Sequence, residues 1–177
     1  MKRQNRINQR TRRLTLTAML TALSVAIMYV GGLLDVLEIS AVGITSLFML
    51  FALREMGLGY AVALYTTTSF LAFLLVRPSV GVLYVLFGGL YPLLKFPLER
   101  HRRPLPLLLK LLYLNVIITA VELLTVFVFA IPFEGWLLLL LLYALANPTF
   151  LLFDKLLDRL LILYEARLRP RIARYLS

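Results

Sequence analysis

The sequence predicts an all-α polytopic membrane protein, a bundle of six transmembrane helices with both termini in the cytoplasm. Three observations predict it. Hydrophobic residues make up 61% of the 177 residues and charged residues only 16%, which leaves too little polar surface to coat a water-soluble globule. The apolar residues gather into six stretches of roughly membrane-spanning length. The basic residues fall between those stretches with a strong one-sided bias, which sets orientation.

The stretches run over residues 14–33, 39–53, 58–76, 80–98, 105–131 and 136–153. Continuous apolarity over such lengths, without alternation at every second residue, argues for helices and against a membrane β-barrel. The second stretch is the shortest, and its edges are the least defined. Short connections make sequential helices antiparallel neighbours. The first stretch follows a leader carrying Lys2, Arg3, Arg6, Arg10, Arg12 and Arg13, an outline shared with secretory signals. Its length exceeds an h-region and no small-x-small cleavage site closes it, so it reads as a retained first span.

Of nineteen Lys and Arg residues, all but Arg77 fall on one side of a six-span arrangement, in the leader, at Arg54, between Lys95 and Lys110, and from Lys155 to Arg174. The opposite side carries Asp35, Glu38 and Glu134. Both ends inside satisfies the positive-inside rule and places the protein in the cell inner membrane. The chain then divides into a basic cytoplasmic leader (1–13), a transmembrane domain (14–153) and a cytoplasmic tail (154–177). In that tail Leu156, Leu157, Leu160 and Leu161 oppose Asp158, Arg159 and Glu165 at helical spacing, as in a helix lying along the inner surface.

Between the spans, Gly31 and Gly32 end the first helix, and Arg77, Pro78 and Ser79 form a tight outer turn. Pro92 and Pro97 each remove a backbone donor and favour a kink or an end in the fourth span. Pro132 to Gly135 make the last outer turn, and Trp136 enters the membrane at the interface, where an indole is best placed.

The net charge of +10 would point to nucleic acid in a soluble protein, but here the basic blocks are topology signals and contacts for anionic lipids. No nucleic-acid partner is expected. The chain has no cysteine and a single histidine, His101, which sits beside Arg100, Arg102 and Arg103. Metal and thiol chemistry therefore have no ligand set. The patterns GxxxxGK[ST], HExxH and GxSxG are absent, so neither an enzyme nor a cofactor is expected and any ATP hydrolysis belongs to other chains.

Polar residues inside apolar spans are costly and concentrate at functional places. Glu122 stands roughly 18 Å along the fifth span from Lys110 at a rise of about 1.5 Å per residue. Asn115, Thr119 and Glu122 follow i, i+4, i+7 spacing and share one helix face. Asn147 lies roughly 16 Å from Trp136 at the same rise, near the same depth. With Tyr84 and Tyr143 these residues either line a pocket or form a hydrogen-bonded network between helices, and the sequence leaves both open. For the tyrosines, plain packing or interfacial anchoring competes with a ligand role. Asp35, Glu38 and Arg77 are candidates for an outer ligand site or solvated loop charges, with a lean toward a cationic nitrogenous ligand. Thr66, Thr67, Thr68 and Ser69 are expected to bond to their own helix backbone.

The first span reads RLTLTAMLTALSVA and places Ala18, Ala22 and Ala26 at four-residue spacing on one face, where small side chains let another helix approach closely. The stripe packs either within the chain or against a partner. An AxxxA stripe in the first span of a small six-span chain with its amino end inside resembles the substrate-binding S component of energy-coupling factor vitamin transporters. The resemblance covers topology, length and this one pattern. It implies that Ala18, Ala22 and Ala26 contact the coupling helices of the transmembrane T component, and through it separate ATPase subunits. It also implies a small-molecule pocket near the outer surface, capped by the loop 34–40. The competing reading is a membrane scaffold working by lateral helix contacts, similar in size and helix density to the rod-shape-determining MreD family. A pocket lined by Asn115, Glu122 and Asn147 separates the first from the second.

Overall fold

The computed structural model describes residues 2–98, 105–127, 135–164 and 166. Among them every regular element is a helix. In chain order these are α1 (Lys2–Leu33), a 3₁₀ turn (Asp35–Leu37), α2 (Glu38–Phe51) running into a π segment (Ala52–Met56), and α3 (Leu58–Leu75). Next come α4 (Pro78–Leu83), a second π segment (Tyr84–Gly89) and α5 (Leu90–Leu98), followed by α6 (Leu105–Phe127) and α7 (Trp136–Leu163). Two compact units result, Met1–Phe96 with Leu160–Ser177, and Pro97–Arg159.

Five helical segments are long and apolar enough to cross a membrane: Gln9–Leu33, Glu38–Met56, Leu58–Leu75, Pro78–Lys95 and Trp136–Leu163. α6 adds 23 residues that carry Lys110 and Glu122. The outer surfaces match lipid rather than water, since side chains such as Leu137 (85% exposed), Trp136, Phe70 and Leu74 stand out from the helices. Contiguous apolar exposure of this kind is not sustained in water.

Three helix ends differ from the apolar boundaries, each for a local reason. α1 runs unbroken through the basic leader, because Arg, Lys and Gln are good helix formers and nothing there stops the helix. The short second stretch becomes 19 residues, Glu38–Met56, about 28 Å at 1.5 Å per residue. It gains this length through the π segment, where the Gly57 N–H donates to the Ala52 carbonyl at 3.0 Å, five residues back. Gly57, with φ of 97°, then turns the chain into α3 in a conformation that strains any residue with a Cβ. α7 continues past Phe153 to Leu163 with no break at the charged residues, so the helix does not end at the domain boundary drawn from the sequence.

In the first unit α1 packs on α2 and α3, and α2 packs on the π segment of the fourth span. α1 buries Thr17, Thr21, Ser24, Val25 and Met28, while α3 buries Ala61, Leu64, Thr68 and Ala72. These are the i, i+4, i+7 stripes of packed helices. Lipid tails are as apolar as leucine, so close contact rather than hydrophobic burial must hold such helices together. Small residues supply it: a Cβ on Gly31 would collide with the Ala41 Cβ, and one on Gly89 would collide with the Tyr65 ring. Several hydroxyls on the buried faces are satisfied locally, with Thr17 donating to the Arg13 carbonyl, Thr21 to the Thr17 carbonyl, and Thr45 and Ser46 both to the Val42 carbonyl, while that of Thr68 is buried without such a bond. Thr66 and Thr67 likewise donate to the Val62 and Ala63 carbonyls as expected, whereas the buried hydroxyls of Thr68 and Ser69 do not bond to their own helix backbone, contrary to the expectation for that run.

The basic cluster 99–103 with His101, the turn 132–134 and the tail beyond Ala166, all assigned a side of the membrane from the sequence, lie outside the described residues.

Candidate functional site

The second unit places most of the sequence-predicted site in one row. α6 and α7 face each other through three polar rungs, in which residue numbers rise on one helix as they fall on the other, so the helices are antiparallel. At the first rung the Lys110 ammonium donates to Asp154 Oδ2 at 2.8 Å, with only 8% and 10% of the two side chains exposed. At the second, Asn115 and Asn147 exchange amide hydrogen bonds, Nδ2 of each donating to Oδ1 of the other at 3.3 and 3.2 Å. At the third, the Thr119 hydroxyl lies 2.6 Å from the Tyr143 hydroxyl.

Each rung is also tied to its own helix. Asn115 Nδ2 donates to the Leu111 carbonyl and Asn147 Nδ2 to the Tyr143 carbonyl, both at 2.8 Å, while Thr119 donates to the Asn115 carbonyl at 2.7 Å. The two asparagine amides therefore spend both their donors and their acceptors within the helix pair. The arrangement is the interhelical network rather than an open polar lining: Asn115, Thr119, Tyr143 and Asn147 meet one another. Glu122, next along the face of α6, is half-buried and makes no hydrogen bond or ion pair among the described residues.

Tyr84 belongs to the first unit, where it opens the π segment, is fully buried, and tilts against Tyr65 with ring centroids 6.4 Å apart. It packs there with Val25, Met28, Val42, Ala72, Val76 and Val80. Glu38 and Arg77, expected from the sequence at the outer face, form a clamp at the start of the fourth apolar helix. Arg77 donates to the Gly32 carbonyl at 3.3 Å, near the end of α1, and lies 3.5 Å from Glu38 Oε1. The Ser79 hydroxyl donates to the same Glu38 oxygen at 3.2 Å. α1, α2 and α4 are thus tied together by one arginine and one glutamate. Asp35 begins the 3₁₀ turn; its side chain lies outside the described ones.

Ala18, Ala22 and Ala26 are all exposed, on the side of α1 away from Thr17, Thr21 and Ser24. Met19, Leu23 and Val30 stand exposed beside them. Of the two readings of the stripe, packing within the chain does not apply among the described residues.

Sequence reasoning missed the Lys110–Asp154 pair, because both residues sat at apparent span ends and were read as interfacial charges. A signal existed: 110 with 154 repeats the antiparallel register of 115 with 147. Among the described residues no group of three His, Cys, Asp or Glu side chains gathers to hold a metal.

Comparison with protein families, curated proteins and solved structures finds no match to this chain.

Proposed function

We propose that the chain is a six-span inner-membrane protein with cytoplasmic termini, serving as the substrate-capture subunit of an energy-coupling factor type importer that docks to its T component through α1. The observation that carries this reading is the exposed face of Ala18, Ala22 and Ala26. A helix that turns its small residues outward forgoes close packing inside its own bundle and gains a surface that another helix can approach. Polar hydroxyls take the inward face instead. ATP hydrolysis then belongs to separate subunits reached through the partner.

The captured molecule is a small metabolite entering from the outer side, where Glu38 and Arg77 hold the start of the fourth span and the loop 34–40 lies at the surface. Glu122 stands beside the rungs of the second unit with no hydrogen bond or ion pair among the described residues and is the group proposed to meet it. The self-paired row of Asn115, Thr119, Tyr143 and Asn147 favours the second reading, a scaffold acting by lateral contacts, because a scaffold needs polar cross-links and no pocket.

Affinity purification of the tagged chain from native membranes, with mass spectrometry of the proteins and small molecules recovered, separates the two. The importer reading expects a T component with ATPase subunits, and their loss, by about tenfold or more, in Ala18→Leu/Ala22→Leu, since two leucines on a close-approach face exceed the overpacking cost of one. Because both alanines are exposed, the variant keeps its own fold. Recovery of cell-envelope proteins alone, with no metabolite, favours the scaffold.

A further inference from the structure

In the first unit a cavity of about 530 Å³ opens where the basic stretch of α1 passes the first turn of α3. Its volume falls within the roughly 300–1,000 Å³ range of small-ligand pockets. Among the described residues it is lined by Gln9, Arg10 and Arg13 from α1 and by Tyr60 from α3. Gln9 and Arg13 are four apart and share a helix face, with Arg10 next to them. Arg13 Nη1 donates to the Met56 carbonyl at 3.4 Å, which anchors its guanidinium at the α2–α3 turn and leaves the other donors of the fork uncommitted. No carboxylate pairs with Arg10 or Arg13 among the described residues. The glycines of the adjoining turn, Gly57 and Gly59, have open space where a Cβ would stand.

Two guanidinium groups, an amide and a phenol converge on one cavity with no acid among the described residues that line it, so they supply donors to an oxyanion and no like charge against it. Guanidinium forks match phosphate oxygens in pairs, so the chemistry favours a phosphate over a halide or a single carboxylate. The setting favours a lipid as its source. Leu14 follows Arg13 directly, and Leu14, Leu58 and Val62 are exposed along the same two helices, where an acyl chain can lie. A basic pocket of this kind on the cytoplasmic side of a bundle receives an anionic headgroup.

We infer that this cavity binds the phosphate of an anionic phospholipid headgroup through Arg10 and Arg13, with Gln9 and Tyr60 completing the shell. The inference rests on the membrane-spanning reading with the basic end of α1 at the inner interface, and is independent of the importer reading.

The test is native mass spectrometry of the full chain in mild detergent, titrated with phosphatidylglycerol, phosphatidylcholine or inorganic phosphate. One saturable phosphatidylglycerol per chain is expected, with phosphatidylcholine weaker. Arg10→Gln/Arg13→Gln should weaken it by about tenfold or more, the scale of losing charge-assisted hydrogen bonds. Arg10→Gln alone, which breaks no hydrogen bond or ion pair among the described residues, should weaken it several-fold. Lys155→Gln/Arg159→Gln removes the same charge from an exposed part of α7 and should leave the tight site intact. Displacement of the lipid by millimolar inorganic phosphate keeps a phosphate site but overturns the lipid as its source. Equal phosphatidylglycerol affinity in the wild type and both arginine variants overturns the site. Extraction of the same membranes with alkaline carbonate distinguishes the premise: release of the chain sinks the membrane reading and the lipid assignment with it, whereas retention with unchanged affinity sinks the site alone.

Discussion

Asp154→Ala is expected to destabilise the α6–α7 helix pair by about 3–5 kcal/mol, the cost of removing one member of a buried ion pair. The Lys110 ammonium would remain with only a small part of its side chain exposed and its 2.8 Å acceptor gone. The expected asymmetry is sharper than the single effect. Lys110→Met/Asp154→Leu removes both charges and both desolvation costs, so it should return to within about 1 or 2 kcal/mol of the wild type, or exceed it. Reversible unfolding of the detergent-solubilised chain, followed by helical circular dichroism, reads both variants. If the single variant unfolds with the wild type, the pair is not buried in the membrane-embedded molecule.

Gly31→Ala is expected to prise α1 from α2. Alanine gains about 1 kcal/mol of helix propensity over glycine, which sets a stabilising baseline. Against it, the added Cβ meets the Cβ of Ala41, an atom fixed to the α2 backbone with no rotamer to escape into. Overpacking of a rigid contact costs about 1–3 kcal/mol, so the net effect is destabilising by up to about 2 kcal/mol. The compensating change identifies the cause: Gly31→Ala/Ala41→Gly returns the space to the interface and should recover much of the loss. Thermal unfolding of the three variants in one detergent supplies the comparison, and a Gly31→Ala chain more stable than the wild type would show that the helices do not approach so closely.

The apolar runs placed α2 to α5 to within a few residues, because in a lipid-facing chain the length of the run is itself the physical requirement, whereas α1 begins at Lys2, well ahead of residue 14, and α7 runs on past Phe153 to Leu163. The boundaries shifted where a charged residue continued a helix. Arg54 and Glu55 sit within the π segment that closes α2, and Asp154 sits inside α7 against Lys110. Neither π segment was readable, since no residue pattern marks a carbonyl shared five residues on.

The i, i+4, i+7 spacing of Asn115, Thr119 and Glu122 correctly put three polar residues on one face, yet could not say what that face meets. Only the rotation of α7, with Asn147 and Tyr143 turned toward it, makes the row a set of rungs. The same ambiguity held for α1. Its sequence offers two candidate packing faces, Thr17, Thr21 and Ser24 on one side and Ala18, Ala22 and Ala26 on the other, one residue apart in register. Thr17 and Thr21 could go inward because each bonds back to its own helix, so their burial leaves those two donors satisfied. That choice left the alanines outside.

The alanine face of α1 is exposed among the described residues, and the proposed function requires a partner helix to cover it in the cell. The most direct measurement is photo-crosslinking in native membranes from a photo-reactive phenylalanine analogue at Leu23, an exposed residue beside the stripe, compared with the same analogue at Phe70, exposed on α3. A docked partner helix gives a discrete crosslinked product from Leu23, abolished by Ala18→Leu/Ala22→Leu, and only lipid adducts from Phe70. Lipid adducts alone from both positions would contradict such docking.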